Sequence, residues 1–204
     1  MRYLCYDTAL NEEYTLIRLL QQYPRNISLF SGTDDEGIWD AAPWLFEVET
    51  DFYALRKKDP LIRLDHCILF ETGEPPEEVI RFLQGIFYKN TGEGPVYFRV
   101  WDARVLLENF REWSEKDRQT FFEFFDCFYT EGAQPGCMDR WAPDVKRGLV
   151  AEQREIGSLF PEERGWEQEE ERPLENGKKE ASPGPPPVSG EDLPPPKRRR
   201  FFIE

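Results

Sequence analysis

The composition of this chain breaks near residue 150, and the break limits what can fold. Beyond it lie nine of the seventeen prolines, in stretches such as EQEEERPLENGKKEASPGPPPVSG. Such a composition cannot bury enough apolar surface to offset the entropy of the chain. Residues 151–204 are therefore expected to be an acidic, largely disordered tail with a basic KRRR end, and residues 1–150 to form one folded domain. Nearly all the aromatic residues fall in that first part.

The whole sequence carries 26 Lys and Arg against 40 Asp and Glu, a net charge of −14. Nucleic-acid binders gain affinity by neutralising phosphates with positive charge, so neither nucleic acid nor an anionic membrane is the expected partner. No apolar run reaches the roughly 18 residues a membrane span requires, and the N-terminus lacks the apolar stretch of a signal peptide. Cys5, Cys67, Cys127 and Cys137 are scattered without a CxxC pair, as in reduced, buried thiols. A cytoplasmic protein is the expectation.

Catalytic signatures are missing. The chain has no GxxxxGK[ST], GxSxG, HExxH or GxGxxG. The single histidine, His66, adjoins Cys67 on an expected strand, and adjacent strand residues face opposite ways. Forty carboxylates make chance acid pairs inevitable, so none can be singled out as a glycosidase-type pair. We therefore expect no enzyme, no cofactor and no metal site.

Strand and helix signals alternate along the first 150 residues. Tyr3–Tyr6, Ile27–Phe30, the half-buried run Trp44–Glu49 and Cys67–Phe70 read as strands. Asn11 can cap a helix bearing Leu16, Leu19 and Leu20, which Pro24 stops. Pro75, Pro76, Glu77 and Glu78 suit the first turn of a helix carrying Val79, Leu83, Ile86 and Phe87. Val96, Phe98 and Val100 are expected on one face of a strand, opposite Arg99 and Trp101. Asp102 then caps a helix with Leu106 and Phe110, and Ser114 with Asp117 resembles a capping box for a helix with Phe121, Phe124, Phe125 and Phe128. This alternation predicts a layered single α/β domain with a mixed or parallel sheet and flanking helices.

Two segments stand out as candidate binding elements. Phe121–Tyr129 is the most apolar stretch, readable either as core or, through Phe121 and Phe125, as a face for a partner helix. Tyr97–Leu106 places Arg99 and Trp101 just before Asp102 and Arg104, and Asp102 can satisfy helix N–H groups while the arginines pair with carboxylates. The KRRR run is either a solvated end or a basic docking or localisation peptide.

The Tyr97–Leu106 segment resembles the FR-[YF]-[YW]-D-P-R-V-L hallmark of the type VI secretion effector adaptors, the Tap/TEC chaperone family. Tyr3–Asp7 is similar to the family's opening strand, Ile27–Thr33 to its next strand and turn, and Ala42–Phe46 to its aPyLv element. Glu77–Leu83 resembles the helix before the hallmark, and Phe121–Phe125 an aromatic pair after it. Ala103 stands where the family has Pro, Val100 replaces an aromatic, and the family's His-Leu-Arg and Phe-Gly-Pro are absent. The resemblance implies a bacterial cytoplasmic adaptor whose partners are a cognate effector and the VgrG spike protein; from the two segments above, Arg99, Trp101, Asp102, Arg104, Phe121 and Phe125 are the expected partner-binding residues. An acidic inhibitor or immunity protein that blocks a basic toxin is the alternative, since opposite charge steers such pairs together.

Overall fold

The computed structural model describes residues 1–91, 94–144 and 148–160, and of 88–91 and 94–96 the backbone alone. All of them belong to one compact unit, Met1–Arg164. The expected disordered tail and its KRRR end lie, from residue 161 on, outside the described residues.

The chain runs through β1 (Arg2–Asp7), a short α1 (Thr8–Asn11) and α2 (Glu13–Gln22) into β2 (Asn26–Ser28) and β3 (Pro43–Glu47). After α3 (Tyr53–Lys58) come β4 (Ile68–Glu71), α4 (Pro76–Phe87) and a small hairpin of β5 (Tyr88–Thr91) with β6 (Gly94–Tyr97). Then follow α5 (Ala103–Glu112), α6 (Glu115–Phe124), β7 (Cys127–Glu131), β8 (Cys137–Asp144), β9 (Gly148–Glu155) and one turn of helix, α7 (Ile156–Leu159).

Seven strands form a sheet in the order β2-β3-β1-β4-β7-β8-β9, and every neighbouring pair is antiparallel. This corrects the mixed or parallel sheet expected from the alternation of strands and helices. The helical connection from β1 to β2 skips a place in the sheet, and β3 fills that gap running the other way. β4 then pairs with the opposite edge of β1, again antiparallel.

Both faces of the sheet are covered. On one, Tyr3, Cys5, Ile68, Phe70 and Phe128 pack with Val79, Leu83 and Phe87 of α4, Leu106 and Phe110 of α5, and Phe121 of α6. On the other, Leu4, Tyr6, Leu69, Cys127 and Tyr129 pack with Leu16 and Leu19 of α2, Tyr53 of α3, and Ile156 and Leu159 of α7. Strand residues alternate between the two faces, which is why β1 and β4 read as continuous apolar runs. Leu45 is buried as fully as Phe46, so β3 too is covered on both sides rather than half-buried.

Local chemistry explains most of the helix starts. Pro76 opens α4 with Glu77 and Glu78 in its first turn, where carboxylates suit the dipole. Ser114 Oγ accepts the Asp117 N–H at 3.1 Å and caps α6. Asn11 does not cap α2. Asp7 caps α1 instead, and Glu12, at φ 72°, breaks the chain between the two helices. Asn11 is buried and clasps the backbone of Asp65: its Nδ2 donates to the Asp65 carbonyl at 2.9 Å, and its Oδ1 accepts the Asp65 N–H at 2.7 Å. Residue 66 precedes β4, and His66 sits at φ 56° rather than on a strand.

Two further expectations change. The strand drawn through Val100 ends at Tyr97, and Phe98–Asp102 is an irregular link in which Val100 and Trp101 are both buried. The apolar run from Phe121 is divided: α6 ends at Phe124, and Phe128 belongs to β7. β9 crosses the compositional break at residue 150, and Ile156, Leu159 and Phe160 beyond it are buried.

Candidate functional site

The link between β6 and α5 meets the end of β1. Asp102 starts α5, and its Oδ1 accepts the Arg104 N–H at 3.0 Å, as the sequence predicts for an N-cap. The Arg104 guanidinium turns back on the same carboxylate, with Nε 3.1 Å from Oδ1 and Nη2 2.8 Å from Oδ2. Such a two-pronged contact is the strong form of a carboxylate–arginine pair.

Arg99 lies between two aspartates. Its Nη2 donates to Asp7 Oδ2 and stands 3.9 Å from Asp102 Oδ2. Asp7 Oδ2 also accepts the Trp101 indole N–H at 3.2 Å, while its Oδ1 accepts the Ala9 N–H at 3.1 Å and caps α1. The Asp7 side chain is only 4% exposed and that of Arg99 34%. The Trp101 ring fills the core between Phe30 and Phe87, with centroids 6.0 and 5.2 Å away and both contacts edge-on.

Two buried carboxylates, each capping a helix, are thus matched by two arginines whose outer portions reach solvent. Burial pushes the Asp102 carboxyl up. The hydrogen bonds from Arg104 and the nearby charge of Arg99 outweigh that, and its pKa lies below the ordinary carboxylate value. Arg104 is shifted up by the same pairing. Each carboxylate accepts from several donors, an arrangement that fastens β1 to α5.

The site residues named from the sequence separate into two groups. Arg99, Trp101, Asp102 and Arg104 come together around Asp7. Phe121 and Phe125 lie elsewhere, fully buried in an aromatic cluster: Phe125 stacks on Phe70 at 4.6 Å, and Phe121 meets Phe110 edge-on at 5.4 Å. Sequence reasoning omitted Asp7 from the site. Its signal was an acid closing an apolar strand directly before Thr8-Ala9-Leu10, the position of a helix cap.

Elsewhere on the sheet, Glu71 Oε2 accepts the Tyr129 hydroxyl at 2.7 Å, and Arg2 approaches Glu71 at 3.5 Å. All four cysteines are free thiols. Among the described residues, no three His, Cys, Asp or Glu side chains are grouped so as to hold a metal ion, and no helix is long and apolar enough to cross a membrane.

An antiparallel sheet between two helical layers, pinned by an Asp–Arg–Asp cluster at the end of its first strand, defines the architecture. Residues 3–120 match the model of the DUF4123 family, described as a domain of unknown function, and the chain belongs to that family. The family is associated with type VI secretion effector adaptors. No curated protein and no solved structure matches the chain. The matched residues contain the whole Asp7–Arg99–Trp101–Asp102–Arg104 cluster and stop inside α6, ahead of β7, β8 and β9.

Proposed function

We propose that this chain is a cytoplasmic adaptor that binds a type VI secretion effector and helps load it onto the VgrG spike, with no catalysis of its own. The observation that carries the reading is the family match over residues 3–120. The cluster contributes to this role through the fold: its carboxylates are committed to helix caps and arginines, and its charges hold together the domain that would present a partner surface.

The test is co-expression with the effector encoded beside the chain. An adaptor raises the effector's soluble yield, co-elutes with it on size exclusion, and bridges it to the spike protein in a three-component capture. Equal soluble effector without the chain, and no complex, overturns the reading. The net charge of −14 favours a second reading, an inhibitor of a basic toxin. That reading predicts loss of effector activity inside the complex and no bridging to the spike.

A further inference from the structure

Few large apolar side chains of the fold stand in solvent, and three of them gather in one place. Tyr14 and Ile17 of α2 are each 43% exposed, and Leu61, in the loop after α3, is 68% exposed. Asp59 ties two of them together. The Tyr14 hydroxyl donates to Asp59 Oδ2 at 2.5 Å, and the Leu61 N–H donates to Asp59 Oδ1 at 3.0 Å. Ile17 lies one helical turn beyond Tyr14. The loop is fixed from beneath, because the Arg63 N–H donates to Thr15 Oγ1 at 2.9 Å and Ile62 and Leu64 are buried. Its shape is therefore set before any partner arrives.

Around this patch Arg56 and Arg63 are paired with Glu131 and Glu12, and Asp59 lies between Tyr14 and Leu61, which leaves Arg18, Lys57 and Lys58 as its unpaired cations among the described residues. Arg56–Arg63 holds four bases and one acid in eight residues, within a chain of net charge −14. Lys57 and Lys58 are exposed and have no ion-pair partner among the described residues. Arg18, on the next turn from Tyr14, is near enough to help lower the Asp59 pKa, after the larger effects of the Tyr14 and Leu61 hydrogen bonds. Apolar anchors rimmed by cations fit an apolar stripe rimmed by anions, and an acidic segment is repelled by most of the remaining surface.

We infer that the surface of Tyr14, Ile17 and Leu61, rimmed by Arg18, Lys57 and Lys58, docks an acidic amphipathic segment of the effector: two or three apolar side chains flanked by Asp or Glu. This rests on the adaptor reading and assigns it a contact surface. That surface lies on the α2–α3 side of the sheet, the opposite side from α4, α5 and α6.

The experiment titrates the labelled neighbouring effector with the full chain and with three variants. Lys57→Glu with Lys58→Glu, and separately Leu61→Glu, are expected to weaken binding at least about tenfold. The charge-matched pair Arg111→Glu with Lys116→Glu, on the other side of the sheet, is expected to stay within about twofold, because its charges lie outside the contact. Wild-type binding should also fall as salt rises. All the altered residues are exposed, so unchanged melting midpoints separate lost contact from lost folding. Patch variants that bind like wild type overturn the surface and leave the adaptor reading standing. An equal loss in the control pair also overturns it. A wild-type chain that binds no effector removes the adaptor reading, and this inference with it. Self-association of wild type that Leu61→Glu abolishes makes a second copy the occupant and overturns the proposal.

Discussion

Asp7 and Arg99 stand 92 positions apart and meet through one guanidinium–carboxylate contact at the end of β1. The contact joins two parts of the chain that otherwise share a single strand pairing in the sheet. β2, β3 and β1 come from residues 2–47, and β4, β7, β8 and β9 from residues 68–155. Among the described residues, only β1 with β4 crosses between them. Arg99, Trp101 and the Asn11 clasp on Asp65 reinforce that crossing from outside the ladder.

Arg99→Ala leaves the Asp7 carboxylate buried without its cation. Breaking a fully buried pair costs about 3–5 kcal/mol, and the partial exposure of Arg99 lowers the expected loss to about 2–3 kcal/mol. Lys at the same place restores charge without the forked geometry and should recover part of it. Urea midpoints at unchanged slope measure both.

Trp101 separates packing from polarity. Trp101→Phe keeps a ring against Phe30 and Phe87 but removes one donor from Asp7, an expected loss of about 1.5–3 kcal/mol. Trp101→Ala also empties the site and should cost about 3–5 kcal/mol. Similar losses for the two variants would show that the indole N–H, rather than the ring, supplies the stabilisation.

Acid should weaken the fold partly through Asp102. Its pKa is lower in the folded chain, so the folded state binds fewer protons. The stabilisation is complete above the unfolded value of about 3.9 and drains away as pH falls through the lower folded value. Glu71 is lowered too and acts in the same direction. Asp102→Asn keeps a capping side chain without the charge. It should be about 1 kcal/mol less stable than wild type at pH 7, with the gap closing below about pH 4. A gap that stays constant from pH 7 to pH 2 would assign the loss to something other than the charge.

Chain length gives a fourth test. A chain ending at residue 160 is expected to melt like the full one, since the sequence beyond lacks a core-forming pattern. Ending at Glu155 removes buried Ile156, Leu159 and Phe160, together with the Arg2 contacts to the Leu159 carbonyl and the Phe160 ring. The loss should reach about 3 kcal/mol, or about 6–12 °C in melting temperature.

What the residues disclosed was mostly local. Pro76, Asp102 and Ser114 mark helix starts because a cap acts within three or four residues. Tyr3–Tyr6 and Cys67–Phe70 showed as strands because both faces are covered. Strand direction was hidden, since β1 and β4 look the same whichever way their neighbours run. β8 and β9 went unseen for another reason: most of their side chains are partly or fully exposed, and Pro143 interrupts the β8 pattern. The cluster was half legible. Asp102 and Arg104 are neighbours in sequence, whereas Asp7 reaches Arg99 only through the fold.

The single pairing between the two parts of the sheet bears on how the chain is made. A ribosome delivers residues 2–47 first, and they hold all of β1, β2 and β3. Until residues 68–71 emerge, β1 presents a free backbone edge whose Leu4, Cys5 and Tyr6 are apolar on both faces. Such an edge invites pairing with any other nascent strand. The interval after residues 2–47 have emerged and before residues 68–71 follow would therefore carry the greatest aggregation risk, and arrival of β4 is the event that ends it.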